Sequence, residues 1–146
     1  MRKSHSDEQM SAESYIRDAL NHEYGLSLKP RKLDLGGGVC VELDGFDEEN
    51  RVLCEIYARV GRLKGAQPNK LAADILKMEL IERKLTMNFR KMIAFCDAEA
   101  ARSLRSKSWL SYVASELGVD VEVMNIPEDV RVQILIAQER QKMVNA

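Results

Sequence analysis

Apolar residues recur along this chain in two periods, and the switches between them mark out its elements. Ile16, Ala19, Leu20 and Tyr24 are spaced by threes and fours, which predicts an amphipathic first helix stopped at Gly25. Ser6 with Gln9 three residues on is a capping-box pattern at its start. Residues 26–35 read as a loop entering a short edge strand around 31–35, with Pro30 keeping the preceding part out of a ladder. Gly36, Gly37 and Gly38 read as a tight turn, because no helix begins behind them to make a phosphate loop. Two strand-like runs follow, 39–44 and 51–60, joined by the acidic GFDEEN as a hairpin connection of about six residues. On a period of two, Val39, Val41 and Leu43 share one face and Cys40, Glu42 and Asp44 the other. In the second run Leu53, Glu55, Tyr57 and Arg59 oppose Val52, Cys54, Ile56 and Ala58.

The pattern then turns helical. Pro68 suits a first helical turn, and Leu71, Ile75, Met78 and Leu85 form a stripe to about residue 85. Residues 90–96 predict a buried strand, with Asp97 capping a helical region that runs to Leu117 and breaks near 106–108. Gly118 ends it, and 119–126 form another strand. Pro127, Glu128 and Asp129 open a last helix that packs through Val130, Ile134 and Ala137. Strand, helix and strand over about 35 residues predict a right-handed crossover and a parallel pair. The order αβββαβαβα is that of an α/β protein with a mixed sheet of about five strands flanked by helices. Without a linker or repeat, the 146 residues read as one domain, with residues 1–6 as a flexible tail.

Composition narrows the setting. No apolar run approaches the roughly 18 residues of a membrane span, and the N-terminus has no signal-peptide core, so no membrane partner is expected. Cys40, Cys54 and Cys96 are odd in number, far apart and set in apolar runs, which suits reduced, semi-buried thiols in a cytoplasmic protein. Trp109 reads as a helix-packing residue, with base stacking as the other reading. The net charge of −1 is unevenly spread: residues 1–58 carry 7 Lys/Arg against 12 Asp/Glu, and residues 59–107 carry 12 against 5. A basic stretch thus follows two acids, Asp44 and Glu55, that the hairpin brings towards one patch of the sheet. Two acids among apolar strand residues are costly without a counter-charge, and a divalent metal beside a phosphate-binding surface would supply one. The basic run reads equally as a solvated helix face.

With Asp44 on the second strand and Glu55 on the third, this order of elements resembles the PD-(D/E)XK nuclease superfamily, the restriction-endonuclease-like fold, over roughly residues 8–126. The motif positions are Asp44, then Glu55, Ile56 and Tyr57; Leu43 stands where the superfamily often has proline, and Tyr57 where it has lysine. The resemblance implies an Mg²⁺- or Mn²⁺-dependent endonuclease or exonuclease acting on nucleic acid, DNA by expectation, with a homodimer open. It implies Asp44, Glu55 and the Ile56 carbonyl as metal ligands. Lys70 from the next helix would replace the lysine as the third catalytic residue, and Arg59 is the other candidate. Glu13, Tyr57 and Gln67 would support them, while Arg59, Arg62 and Lys64 hold flanking phosphates. The Tyr57 departure supports an alternative, a catalytically inactive nuclease-like fold that binds nucleic acid or assembles with protein. A third reading is an unrelated small α/β protein whose 90–126 unit binds a protein or nucleotide; no P-loop, dinucleotide fingerprint or hydrolase triad supports it.

Overall fold

The computed structural model describes residues 7–145. The expected Ser6 capping box and the 1–6 tail lie outside them. Its elements run α1 (Asp7–Tyr24), β1 (Lys29–Gly36), β2 (Val39–Asp47), β3 (Val52–Tyr57), α2 (Gln67–Leu85), β4 (Arg90–Phe95), α3 (Arg102–Arg105), α4 (Trp109–Glu116), β5 (Val119–Val123) and α5 (Glu128–Asn145). The protein is α/β, with one five-stranded mixed sheet in the order β1-β2-β3-β4-β5. The β1–β2 and β2–β3 pairs are antiparallel, and β3–β4 and β4–β5 are parallel.

Both parallel connections step across the sheet in the same direction, so crossovers of one hand place their helices on one face. Leu71, Ile75, Met78 and Ile81 of α2, Leu104 of α3 and Leu110 and Ala114 of α4 pack there against Leu53, Tyr57, Ile93 and Phe95. Ala12, Ile16 and Leu20 of α1 and Ile134 of α5 cover the other face, over Val52, Cys54, Ile56, Met92 and Ala94. The sheet is the middle of three layers, and β3 and β4 are buried on both sides.

Several local expectations are corrected. The strand β2 continues through Gly45, Phe46 and Asp47, leaving a four-residue turn at 48–51 in place of the six-residue loop. Phe46 is drawn into the core, and Asp47 closes the turn by accepting from the Asn50 backbone N–H at 2.9 Å. Strict alternation in β2 fails. Lys29 pairs with Phe46 and Arg31 with Leu43, so Pro30 of β1 faces two residues of β2, Asp44 and Gly45, and Leu43 and Phe46 reach the same core. Pro30 lies within β1 at this irregularity, on the sheet's edge strand. The strand β3 ends at Tyr57, so Arg59 sits in the connection to α2 and not on the strand face of Glu55. Asp97 caps no helix; its Oδ2 accepts from Gly61 N–H at 2.8 Å and its Oδ1 from Arg131 at 3.2 Å. The helical region behind it is two helices, parted at 106–108. Ile81 completes the α2 stripe while Leu85 and Tyr24 are exposed, as are Cys40 and Trp109. Among the described residues, no helix is long and apolar enough to cross a membrane.

Candidate functional site

The β2–β3 ladder runs from Asp47 opposite Val52 to Gly45 opposite Cys54 and then stops. At Gly45 the packing is so close that an added Cβ would lie 3.3 Å from the Cβ atoms of both Cys54 and Leu28. One residue further, the strands are joined by side chains instead of backbone. The Asp44 N–H donates to Glu55 Oε1 at 3.1 Å, and the Ile56 N–H donates to Asp44 Oδ2 at 2.8 Å. The two carboxylates therefore occupy a notch where the sheet opens, each satisfying an amide across the gap. The bulged course of β2 is what lets Asp44 depart from regular pairing.

From the α2 side, Lys70, Asp74 and Lys77 share one helix face, spaced four and three apart. Lys77 Nζ donates to Glu55 Oε2 at 2.9 Å and to the Glu42 carbonyl at 2.8 Å, and lies 3.5 Å from Asp74 Oδ1. Asp74 is buried and accepts on Oδ2 from the Tyr57 hydroxyl at 2.6 Å and from Lys70 Nζ at 3.2 Å. Lys70 Nζ also stands over the Tyr57 ring, 4.8 Å from its centroid, with its side chain 61% exposed. Tyr57 is thus tied to an acid, and the cation in contact with Glu55 comes from α2.

Glu13, Asp44, Ile56, Tyr57, Gln67 and Lys70 line a pocket of about 300 Å³ together with Ala58 and Arg59. Arg59 and Gln67 are shared with a neighbouring groove of about 600 Å³, where Arg62, Lys64 and Lys142 add positive charge. Gln67 Oε1 accepts from the Lys64 N–H at 2.9 Å, which leaves its amide NH₂ to donate. Arg17 crosses from α1 to the Asp44 carbonyl at 3.2 Å.

The acids here are held away from their preferred ionisation. Burial pushes Glu55 up to about 8, with Asp44 and Asp74 adding to the rise and Lys77 opposing it. Burial, then the Asp44 charge, raises Glu13 to about 7 against the pull of Arg17 and Lys70. Asp44 is also raised, by burial more than the Ile56 N–H and the two lysines can offset. For Lys77, burial works against the charge, but Glu55 and Asp74 outweigh it and hold the ammonium above its ordinary value. Burial and then Asp74 push the Tyr57 phenol well above its usual range. Burial lowers Arg59.

Of the residues expected from the sequence, Asp44, Ile56, Glu13, Tyr57, Gln67, Lys70 and Arg59 line one pocket, and Arg62 and Lys64 the adjoining groove. Glu55 does not line it; this side chain is buried behind Asp44 against Lys77. Lys70 pairs with Asp74 four residues on and still stands beside the sheet over the Tyr57 ring. Lys77 and Asp74 were not anticipated in these roles. Their signal was available in the 70-74-77 spacing beside the apolar stripe, but the strand they cross is not written in it.

The comparisons with known proteins leave the site to be read from its own geometry: no family model, no curated protein and no solved structure matches the chain.

Proposed function

We propose that this protein is a metal-dependent nuclease of the PD-(D/E)XK kind, hydrolysing phosphodiester bonds in nucleic acid, with DNA as the expected substrate. The observation that carries the reading is the convergence of Glu13, Asp44, Gln67 and Lys70 on one pocket that opens into a basic groove. The order of elements, with one acid on β2 and one on β3 where their ladder parts, supports it. Free thiols at Cys40, Cys54 and Cys96 go with a reducing, cytoplasmic setting.

The donor set fits Mg²⁺ or Mn²⁺ in kind. Asp44 and Glu13 are hard oxygen donors at the pocket, both raised by burial, so a cation would offset the burial that opposes their ionisation. Among the described residues no three His, Cys, Asp or Glu side chains form a ready cage. An ion held by Asp44, with Glu13 or Glu55 and the Ile56 carbonyl, would retain several waters, which suits Mg²⁺. Bound there, it supplies an activated water and charge stabilisation at the phosphate. Lys70 offers its exposed ammonium to the scissile phosphate, steadied by Asp74 and the Tyr57 ring. Gln67 donates its free NH₂ to water or a phosphate oxygen. Lys77 favours ionised Glu55 and fixes its direction. Arg59, Arg62 and Lys64 position the flanking backbone without reading sequence.

The test is cleavage of plasmid, single-stranded and branched DNA with Mg²⁺ or Mn²⁺, comparing wild type with Asp44→Ala and Glu55→Ala. Activity that the substitutions abolish supports the reading; equal activity in all three proteins sinks it. The second reading, a nuclease-like fold that binds nucleic acid or protein without cleaving, is favoured by one observation: both Glu55 oxygens are already occupied, by Asp44 N–H and Lys77. It predicts salt-sensitive nucleic-acid binding that survives Asp44→Ala, with no cleavage by any variant.

A further inference from the structure

The short helix α4 displays the chain's single tryptophan to solvent. Trp109 is 73% exposed and Tyr112, three positions on, is 70% exposed. Leu110 and Ala114 bind α4 to the core, so the two rings project from its outer side. Neither ring has a ring contact or a side-chain hydrogen bond among the described residues. Two large aromatic faces one turn apart in water forgo the burial they usually obtain, which makes this helix face a candidate ligand surface.

The surrounding charge indicates which kind. Across residues 99–116, Arg102, Arg105 and Lys107 stand against Glu99 and Glu116; Glu116 lies one turn beyond Tyr112, so the positive charge gathers on the α3 side of the rings. Arg102 has a loose pairing with Glu99 at 3.6 Å, and Arg105 donates to the Val121 carbonyl at 3.2 Å, which engages a donor without neutralising its charge. Lys107 is exposed and has no ion pair among the described residues. The position in the fold matters equally. The segment starts beyond the C-terminal end of β4, and α4 runs back towards the start of β5, so Trp109 lies at the end of the sheet where the parallel strands finish. The candidate pocket lies at that end too, beyond Tyr57, which pairs with Phe95. Asp97 joins the two connections through Gly61.

We propose that Trp109 and Tyr112, with Arg105 and Lys107, form a stacking platform for unpaired nucleotides, so that the substrate is single-stranded nucleic acid or a single-stranded extension of a duplex. This rests on the nuclease reading and deepens it. Bases within a duplex hide their faces against one another, whereas unpaired bases offer a flat face to each ring while the cations follow the phosphates. A membrane surface fits less well, because Ser106, Ser108 and Ser111 interrupt any continuous apolar face.

Because Trp109 is the only tryptophan, its emission reports directly on stacking. In EDTA, to prevent cleavage, the full chain is titrated with a labelled thymidine oligomer of about 12 nucleotides. Parallel titrations use its duplex, an abasic strand of equal charge, and phosphatidylserine vesicles. The oligomer is expected to quench emission saturably and less so in high salt, while the abasic strand binds by anisotropy without quenching. Trp109→Ala and Tyr112→Ala should each weaken oligomer binding about 5- to 100-fold, and Trp109→Phe should fall between wild type and Trp109→Ala. Both sites are exposed, so circular dichroism should show an unchanged fold. Oligomer binding that leaves emission and both alanine variants unaffected overturns the platform, as does a response to vesicles or duplex alone. Cleavage lost in Asp44→Ala is read separately, so the platform can fail while the nuclease reading stands, and the reverse.

Discussion

Asp47 and Asp44 lie three residues apart on β2, yet they meet opposite fates. Asp47 is almost wholly buried and accepts from Ser27 N–H at 2.7 Å, Asn50 N–H at 2.9 Å and the Asn50 amide at 2.8 Å. Burial alone would raise its pKa, but the Asn50 side chain and the backbone amides outweigh it and hold the carboxyl below its usual range. Asp44 accepts the Ile56 N–H and otherwise faces a pocket shared with Glu13, and burial raises it. The turn carboxylate is fully served by its own fold. The pocket carboxylates are held where ionisation is opposed, a state that a structural role does not require and that a bound cation would relieve.

The strongest way to break this contrast is to remove each acid in turn. Asp44→Ala should reduce metal-dependent cleavage at least about 100-fold, while Asp47→Asn leaves the rate per folded molecule unchanged. Equal losses of rate in the two variants would abolish the distinction. Next comes the cation behind the pocket. Lys77→Met leaves Glu55 buried without its partner, and should cost about 2–3 kcal/mol in urea unfolding at pH 9, above the Glu55 value of about 8. A fully buried pair loses roughly 3–5 kcal/mol, but Lys77 keeps some solvent contact. Adding Glu55→Gln should recover most of that loss; a double variant as unstable as the sum of the singles would show that the two do not interact.

Asp47→Asn should destabilise by about 1–2 kcal/mol near pH 7. The sign follows from the depressed pKa: the contribution is present above the unfolded value of about 4 and is lost as pH falls through the folded one. Wild type and variant should therefore converge in acid, and a gap that stays constant to pH 2 contradicts this account. The smallest effect runs the other way. Glu13 and Glu55 bind protons in the folded state up to about 7 and about 8, beyond their ordinary 4.5. Metal-free protein should thus lose a few degrees of melting temperature between pH 5 and pH 8. Mn²⁺ should restore them at pH 8 in wild type and not in Asp44→Ala. A melting temperature that rises over that range would contradict the raised values.

Much of this architecture is legible in the residues. The order of elements follows from the two periodicities and from Gly25, Pro68, Gly118 and Pro127, because each acts locally on the backbone. Glu13, Gln67 and Lys70 are placed beside Asp44 by the nuclease resemblance, which implies an acid on the first helix and a cation at the entry of the helix after the third strand. The bulge opposite Lys29 and Arg31 could not be foreseen, since it depends on how two strands settle against a shared core. Lys77 was missed for a similar reason: helical spacing puts it beside the stripe, and only tertiary packing sets it against Glu55. The expectation that Trp109 packs against its helix neighbours fails, because other residues of α4 take the inward positions. Leu110, Val113, Ala114 and Leu117 already form an inward stripe that excludes Trp109 and Tyr112.

The strand order has a consequence for how the molecule is made. Because the sheet reads β1-β2-β3-β4-β5, every strand lies beside its predecessor in the chain. No strand has to be inserted between two that have already paired, so the sheet can grow outward from the N-terminal meander as the ribosome releases it. The pocket is assembled partway through that growth. Glu13, Asp44, Glu55, Lys70 and Lys77 have all been synthesised before β4 begins at Arg90, although β3 still lacks its parallel neighbour at that moment.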